Sequence, residues 1–458
     1  MHARNRRTAL SSLVLAAFTA LPAAAAVAPE STERVDASLR AGSLYEPAEL
    51  LLQFQPGLSA KARQAWLSRH GLRSLDRLRK ASAGQGELHR LRLPAGLSVE
   101  AGLHLLRSAP EVALVEPNFI YTAQAVSNDP YYINGSLWGL YGAGTPHFSN
   151  PYGSGAAAAW ANEHTCLRKV HVGLLDEGVM FSHKDFGKNI WTHPKDLADG
   201  KDEDGNGYVD DTRGWDFVNN DNTVFDDISD DHGTQVAGII GARGGNEKGV
   251  TGVCWNVSMI VAKVLSASNG NASNAIKAID YMIDLKTRHK LQLVALNASW
   301  GSTGYSEALK NAITRAGAAE ILLVASAGNA SINNDLVPFY PASYALPNVI
   351  SVASLAANGS LPSFSNWGPT SVHLAAPGTS IYTTTPVFKS GEYGSGYAAL
   401  SGSSWATAFV TGAIALMATT HQNATAAQLK EAVLEAAIPT PSLTGKVVTG
   451  ARLDASGF

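Results

Sequence analysis

The stretch KVHVGLLDEGV, residues 169–179, opens the part of the chain that decides the fold. From here on, short apolar runs alternate with segments that have helical periodicity. Continuous apolar strands followed by helices indicate a parallel sheet covered on both faces. We therefore predict an α/β domain with a mostly parallel sheet, and we expect its chemistry at the carboxyl ends of the strands. The runs, in order, are KVHVGLLD, QVAGIIGA, SMIVAKVL, NAIKAIDYMIDLKT, LQLVALNAS, SEALKNAITRAG, ILLVASAG and NVISVAS.

An earlier stretch, residues 49–121, has a different pattern. It reads as strand, helix, strand, strand, helix and strand. That order predicts a small ferredoxin-like α+β module. A small, polar segment follows at residues 122–128, so we place a domain boundary between 27–124 and 125–458. The second part is long enough to bury a large core of its own.

The first 26 residues have the features of an export signal. Arg4, Arg6 and Arg7 precede an apolar run at 9–21, and the alanines at 23–26 offer a cleavage site. This run is too short for a retained membrane span, and no later stretch has about 18 consecutive apolar residues. We therefore expect a soluble, secreted product, extracellular or periplasmic, with no membrane span.

Charge and cysteine content narrow the function further. Residues 27–124 carry 12 Lys and Arg against 10 Asp and Glu, whereas residues 125–458 carry 20 against 28, a net charge of −8. Phosphate backbones are held mainly by Lys and Arg, so we expect no nucleic-acid partner.

The chain has two cysteines, Cys166 and Cys254. In an oxidising compartment, one disulfide and two buried free thiols are both open alternatives.

Four polar residues lie where apolar runs end or helices begin: Asp176, His232, Asn329 and Ser404. Each alone has a purely structural explanation, as a helix cap or a turn former. Together they place an acid, a base, an amide and a hydroxyl at one edge of one sheet. Their order is informative, because serine hydrolases that share the triad geometry differ in the order of its members along the chain.

The order Asp, His, Ser, with the signatures LLDEG, DHGTQVAG and SGSSWATAFVTG, resembles the subtilase family of subtilisin-like serine peptidases. The resemblance covers nearly all of the chain after Asn128 and implies a three-layer subtilisin-like fold. It implies Ser404 as nucleophile, His232 as general base and Asp176 as the group that orients the imidazole. Asn329 would donate to the oxyanion.

The module at 27–124 resembles the family's inhibitory propeptide. The resemblance therefore implies a self-processing zymogen whose own propeptide is an intramolecular inhibitor. We place propeptide release between Tyr121 and Asn128 and expect the mature serine endopeptidase to be a monomer.

Substrate contacts follow from the same resemblance. One strand end matches the family's segment that pairs with the substrate backbone, a second segment flanks it, and a third is expected to wall the pocket for the residue before the scissile bond. Backbone pairing demands little of the substrate sequence. We therefore expect polypeptide substrates and broad specificity, with a preference for large apolar residues before the scissile bond. The three segments are Ser299, Trp300 and Gly301; Ser268, Asn269 and Gly270; and Ala325, Ser326, Ala327 and Gly328.

An acidic loop separates the predicted acid from the predicted base. Between Asp196 and Asp231 lie 13 of the 28 acidic residues found after residue 124. Its run DEDGNGYVDD matches the first nine positions of an EF-hand calcium loop, but Arg213 occupies the twelfth, where a Glu belongs. Crowded carboxylates without a cation repel one another. We therefore expect structural Ca²⁺, the alternative being a solvated acidic loop. The expected ligands are Asp202, Asp204, Asn206, the carbonyl of Tyr208, Asp210 and Asp211.

The resemblance also bears on the cysteines. In the implied fold, the strands that follow Cys166 and Cys254 are parallel neighbours, which brings the two thiols close enough for a disulfide.

Two rival functions remain. One is a catalytically inactive secreted calcium-binding protein on the same fold. The other is an esterase or lipase, which the triad order disfavours because enzymes with a G-x-S-x-G elbow order their triad Ser, acid, His.

Overall fold

The computed structural model describes residues 29–40, 45–82, 84–119, 126–166, 170–267 and 269–458 of the 458-residue chain. The predicted export signal, Ser268 and residues 121–125 of the predicted release segment lie outside the described residues. The chain divides into two compact units, Met1–Thr122 and Ala123–Phe458. None of the described helices is long and apolar enough to cross a membrane.

The first unit is an antiparallel four-stranded sheet with helices. Its elements are α1 (Pro29–Arg40), β1 (Tyr45–Phe54), α2 (Ala60–Arg69), β2 (Arg73–Arg79), β3 (Leu88–Arg92), α3 (Val99–Leu106) and β4 (Val112–Phe119). The strand order is β2-β3-β1-β4. Leu50, Leu52 and Phe54 alternate along β1 and are fully buried, in one hydrophobic cluster with Trp66 of α2 and Leu103 of α3. Helix α1 precedes the first element that the sequence pattern predicts.

The second unit has thirteen described strands, nine of which form its central sheet. Its strands are β5 (His171–Asp176), β6 (Gly214–Asp216), β7 (Ser258–Lys263), β8 (Leu265–Ser266), β9 (Asn269–Gly270), β10 (Leu293–Ala298), β11 (Leu322–Ser326), β12 (Val349–Leu355), β13 (Leu374–Pro377), β14 (Ile381–Lys389), β15 (Glu392–Leu400), β16 (Ile438–Pro439) and β17 (Ala451–Arg452). The central sheet has the order β16-β17-β13-β12-β11-β10-β5-β7-β6, and only its β16–β17 pair is antiparallel among the described strands. Strands β14 and β15 form a separate hairpin, as do β8 and β9.

Helices cover both faces of this sheet. They are α4 (Pro130–Ile133), α5 (Ala156–Ala161), α6 (Asp231–Gly241), α7 (Ala272–His289), α8 (Glu307–Ala318), α9 (Ser403–Thr420) and α10 (Ala426–Glu435), with two short 3₁₀ helices at Trp138–Leu140 and Pro441–Leu443. Successive strand residues point to opposite faces. Leu174 packs in the hydrophobic cluster of α6 and α9, whereas Leu175 packs in that of α7 and α8. The predicted three-layer α/β fold is confirmed.

The carboxyl edge of the sheet positions the candidate site. Because β5, β10 and β11 are parallel neighbours, their ends share one edge. Asp176 ends β5, Ser299 follows β10 and Asn329 lies three residues after β11. The buried helix α9 packs against β10 to β13. The first turn of α9, which contains Ser403 and Ser404, therefore also lies at this edge.

A disulfide connects the two segments that precede β5 and β7. Cys166 and Cys254 are bridged, with the sulfurs 2.04 Å and the Cα atoms 5.3 Å apart. The following strands, β5 and β7, pair in parallel with His171 opposite Ser258. The predicted disulfide is confirmed, and the free-thiol alternative is wrong.

Candidate active site

The predicted acid and base are in direct contact. Oδ1 of Asp176 lies 2.7 Å from Nδ1 of His232, which stands in the first turn of α6. Asp176 is 1% exposed, so water hardly competes for this contact. Gly233 permits it, because a Cβ there would lie 2.1 Å from the carbonyl oxygen of Gly178. The helix start can therefore approach the strand end closely.

The predicted nucleophile is held at the end of β10. Ser404 stands in the first turn of α9 and is 6% exposed. Its Oγ donates to the Ser299 carbonyl at 3.1 Å, and Ser299 Oγ donates to the Ser404 carbonyl at 2.9 Å. Among the hydrogen bonds of the described residues, none joins Ser404 to His232. Catalytic hydrogen bonds are often long or poorly aligned in a structure without substrate, so the missing contact does not exclude Ser404 as the predicted nucleophile.

Ser403 fixes the orientation of the Asn329 amide. Oδ1 of Asn329 accepts the Ser403 N–H at 2.8 Å and the Ser403 hydroxyl at 2.9 Å. Ser403 Oγ also accepts the Gly328 N–H at 3.2 Å and lies 2.6 Å from Ser326 Oγ. With its oxygen held, Asn329 keeps both Nδ2 hydrogens for another acceptor. This role of Ser403 does not follow from the sequence pattern.

Trp405 covers His232. The two ring centroids are 5.7 Å apart. The indole also lies against Gly402, where an added Cβ would be 2.6 Å from Trp405 Cζ3. The indole Nε1 is buried and has no hydrogen-bond partner among the described residues. Glycine at position 402 is thus needed for the indole to pack beside the site.

Negative charge surrounds His232. Burial lowers the pKa of His232, but the carboxylates of Asp176, Glu177 and Asp231 outweigh it and raise its pKa to about 9. Glu177 is 2% exposed, and its Oε2 lies 3.4 Å from the His232 backbone nitrogen. The imidazolium form is therefore favoured over a wider pH range than in a free histidine.

Lys263 ties the His232 helix to the sheet. It ends β7, pairs in register with Asp176 and is 2% exposed. Its Nζ lies 2.7 Å from Asp230 Oδ2, 2.5 Å from Asp226 Oδ2 and 3.6 Å from Asp216 Oδ2. Since Asp230 immediately precedes α6, this ion-pair cluster holds the start of that helix. The sequence pattern predicts Lys263 only as part of an apolar strand.

Replacing Lys263 with methionine is expected to lower the free energy of unfolding by about 3–5 kcal/mol, because buried carboxylates lose their counter-ion. Urea unfolding of the variant, measured in a Ser404→Ala background that excludes self-digestion, tests this. Lys201→Met is the matched control, since its pair with Asp199 is largely exposed. Equal losses from both variants would show that the Lys263 cluster has no special role.

The predicted substrate segments are distributed over two places. Asn269, Gly270, Trp300 and Gly301 line one cavity of about 280 Å³, together with Tyr340. The third segment lies apart from this lining. Its Ala325, Ser326 and Ala327 side chains are buried, and Gly328 bonds to Ser403.

The EF-hand-like run folds onto its own backbone. Asp202 accepts N–H groups of Gly205, Asn206 and Gly207. Asp210 accepts those of Asp199 and Gly200. These carboxylates are ones that the EF-hand prediction assigns to calcium, and each has about four lone-pair sites, so the ligand set stays a prediction.

The remaining predicted ligands also have partners. Asn206 Oδ1 accepts the Tyr208 N–H, and its Nδ2 donates to Asp211. Asp204 Oδ2 lies 2.6 Å from His289 Nε2. Asp211 Oδ2 accepts the Tyr281 hydroxyl, which leaves its Oδ1 without a partner among the described residues. Burial raises the pKa of Asp211 to about 7. A cation beside Asp211 would offset the free-energy cost of burying its ionised carboxylate.

Comparison with known proteins identifies the family. Residues 168–455 match the family model described as "Subtilase family". The chain therefore belongs to the subtilases, the subtilisin-like serine peptidases.

Individual relatives agree with this. The thermophilic serine proteinase of Bacillus sp. (strain AK1) is 28% identical over 400 residues, which cover 86% of this chain and 83% of that protein. Subtilisin-like protease 1 of Plasmodium vivax is 31% identical over 303 residues, covering 61% of this chain but only 45% of that protein. A solved structure titled as proteases from Pseudoalteromonas arctica PAMC 21717 has a TM-score of 0.59 at 23% identity, with 72% of this chain and 97% of that chain covered. This likeness shows a shared fold.

Proposed function

We propose that the chain is a secreted serine endopeptidase, made as a self-processing zymogen. The observation that carries the proposal is the Asp176–His232 contact of 2.7 Å, at the same sheet edge as Ser404 and Asn329. Because this chain spans less than half of the Plasmodium relative, the proposal rests on these residues and on the family rather than on that protein as a whole.

In the proposed reaction, Ser404 Oγ attacks the carbonyl carbon of the scissile peptide bond while His232 Nε2 takes the hydroxyl proton. Negative charge develops on the carbonyl oxygen. The Ser404 N–H and Asn329 Nδ2 donate to it, and the positive end of the α9 dipole adds to this stabilisation. His232 then gives its proton to the leaving amine, and the C–N bond breaks. Water repeats the sequence on the acyl-enzyme and releases the second product.

Asp176 keeps the proton of His232 on Nδ1. This directs the free lone pair of Nε2 toward the nucleophile and stabilises the imidazolium that forms. In this mechanism Asp176 does not take the proton itself. The Lys263 cluster supports this arrangement, because it fixes the helix start that carries His232.

We expect the substrate to bind as an extended polypeptide between the Trp300 and Asn269 segments that line the common cavity. Backbone hydrogen bonds supply affinity with little dependence on sequence. The proposed specificity is therefore broad, with large apolar residues preferred before the scissile bond. The first unit is proposed to be the propeptide, which inhibits the second unit until it is released.

A structural calcium ion is proposed at the acidic loop. The fold family commonly holds calcium, and groups of carboxylates here lie close enough to share one cation. Oxygen ligands suit Ca²⁺. Its proposed role is to stabilise the loop between Asp176 and His232, with no part in bond cleavage.

Neutralising Glu177 is expected to shift the acidic limb of the pH profile to lower pH. The base form of His232 is required for attack, so activity should rise with pH toward the pKa of about 9. Glu177→Gln removes one of the charges that raise this pKa, so kcat/KM should reach its plateau at lower pH. Glu247→Gln is the control, since Glu247 is exposed and is not among the charges that act on His232. An unshifted limb in Glu177→Gln would contradict this account.

A fluorophosphonate probe tests the proposed function directly. We expect covalent labelling of the wild type at Ser404, a new N-terminus near residues 121–128 on mass mapping, and neither in Ser404→Ala. Hydrolysis of a peptide library would then give the specificity. A folded wild type that takes up no label would favour the inactive calcium-binding alternative.

A further inference from the structure

An aromatic ring lies between two of the segments predicted to contact substrate, residues 299–301 and 325–328. A Cβ added to Gly301 would be 2.4 Å from Cε1 of Phe339, and one added to Gly328 would be 3.2 Å from Cδ1 of the same ring. Both distances are shorter than the optimal contact of about 3.5–4.0 Å between carbon atoms. The two glycines therefore face one edge of the Phe339 ring, which fills the space between the two segments.

Hydrogen bonds tie Phe339 to the first segment. Tyr340 and Ser302 exchange two backbone hydrogen bonds, with the Tyr340 N–H donating at 2.7 Å and the Ser302 N–H at 2.8 Å. The Phe339 N–H donates to Ser343 Oγ at 3.0 Å. Since Phe339 precedes Tyr340 and Gly301 precedes Ser302, the backbone that carries the ring is fixed relative to Gly301.

The second segment is held in place as well. The Gly328 carbonyl accepts the Asn366 N–H at 2.9 Å, and the Ala327 carbonyl accepts Nδ2 of Asn334 at 2.8 Å. Both asparagines are 1% exposed. The space between the two segments therefore cannot widen unless buried hydrogen bonds break, which is costly.

Both segments lead directly to the groups of the proposed reaction. Ser299, two residues before Gly301, exchanges hydrogen bonds with Ser404, and Asn329 follows Gly328 in the chain. Ser404 attacks the carbonyl carbon of the residue before the scissile bond, and Asn329 donates to the oxygen of that carbonyl. The side chain of the same substrate residue leaves from the adjacent Cα. It must therefore lie close to both segments.

We propose that Phe339 is the specificity-determining residue for the substrate position before the scissile bond. Alanine, serine or glycine at that position fits without moving the ring, whereas leucine or phenylalanine needs the space that the ring fills. The preference for large apolar residues takes account of the small segments alone, and the ring between them replaces it with a preference for small residues. This inference rests on the proposed peptidase function and names the class of substrate within it.

The test compares two peptide p-nitroanilides that differ only in the residue before the scissile bond, alanine or phenylalanine. Protein made as the full chain and then matured is expected to hydrolyse the alanine substrate with a kcat/KM at least about 10-fold higher, since a pocket discriminates through this ratio. Phe339→Ala should raise kcat/KM for the phenylalanine substrate by at least about 10-fold and change that for the alanine substrate far less. Leu336→Ala is the matched control and should keep the wild-type ratio, because Leu336 lies in the same loop but is 79% exposed.

The wild-type ratio decides the inference even where Phe339→Ala does not fold. A wild type that prefers the phenylalanine substrate would overturn it, and so would a folded Phe339→Ala with an unchanged ratio. Fluorophosphonate labelling of Ser404 reports separately on the peptidase proposal, because the probe has no residue before a scissile bond. Labelled protein that prefers phenylalanine refutes the role of Phe339 alone, whereas wild type that takes up no label refutes the peptidase proposal and this inference together.

Discussion

Ser404→Ala is expected to lower kcat by roughly 10⁶-fold, the size of loss known for the nucleophile of another member of this family. The variant keeps Asp176, His232 and Asn329 but has no oxygen to attack the substrate. It should therefore also remain joined to residues 27–124, if release is self-catalysed. Turnover of a chromogenic peptide and mass mapping of the N-terminus measure the two effects.

The matched control for this variant is Ser401→Ala. Ser401 is exposed, and its hydroxyl accepts the backbone N–H of Ser380 outside the Asp176–His232 contact. It should lose little activity and mature as the wild type does. A Ser404→Ala protein that still processes itself would refute the assignment of the nucleophile.

Asp176→Asn is expected to lower kcat by about 10⁴-fold while binding of substrate changes little. The substitution keeps the shape of the side chain, but an amide can donate its own hydrogen toward Nδ1. It thereby favours the His232 tautomer with the proton on Nε2, which cannot accept the Ser404 proton. The loss of charge also removes a contribution that raises the pKa of His232. The acidic limb of the pH profile of the residual activity should therefore lie at lower pH than in the wild type.

Asp231→Asn is the comparison that separates tautomer from charge. Asp231 also raises the pKa of His232, yet its carboxylate accepts from Gln235 instead of from the imidazole. Asp231→Asn should shift the acidic limb of the pH profile to lower pH without a large fall in the plateau value of kcat. Burst-phase kinetics at several pH values would measure both variants. A similar plateau loss in the two would mean that charge alone, without tautomer control, accounts for Asp176.

The strand ends could be found from the sequence because their signal is local. Asp176 ends an apolar run and Asn329 closely follows another, while His232 and Ser404 begin helices, so periodicity alone places them at one edge. Their order along the chain then identified the family. Helix α1 lies before residue 49, where the predicted pattern of strands and helices begins.

Lys263 and Asp196 could not be found in this way. Lys263 sits inside an apolar run, and its partners Asp216, Asp226 and Asp230 come from a loop without periodicity. Asp196 lies outside the EF-hand spacing, which drew the prediction to the run that begins at Asp202. Only the packed structure shows that neither of its oxygens has a hydrogen-bond partner among the described residues. Long-range electrostatic pairing is thus the part of this site that sequence spacing does not encode.

The disulfide should keep the chain joined after proteolytic cleavage, to which a peptidase is exposed by its own activity. The acidic loop lies between Cys166 and Cys254, with Asp176 before it and His232 after it. Exposed loops are preferred sites of proteolytic cleavage. A single cut in this loop would leave both pieces covalently joined, so a nicked molecule would keep its acid and its base together. Under oxidising conditions the damage would be confined to the backbone, and under reducing conditions the same cut would leave the two pieces joined only by non-covalent contacts.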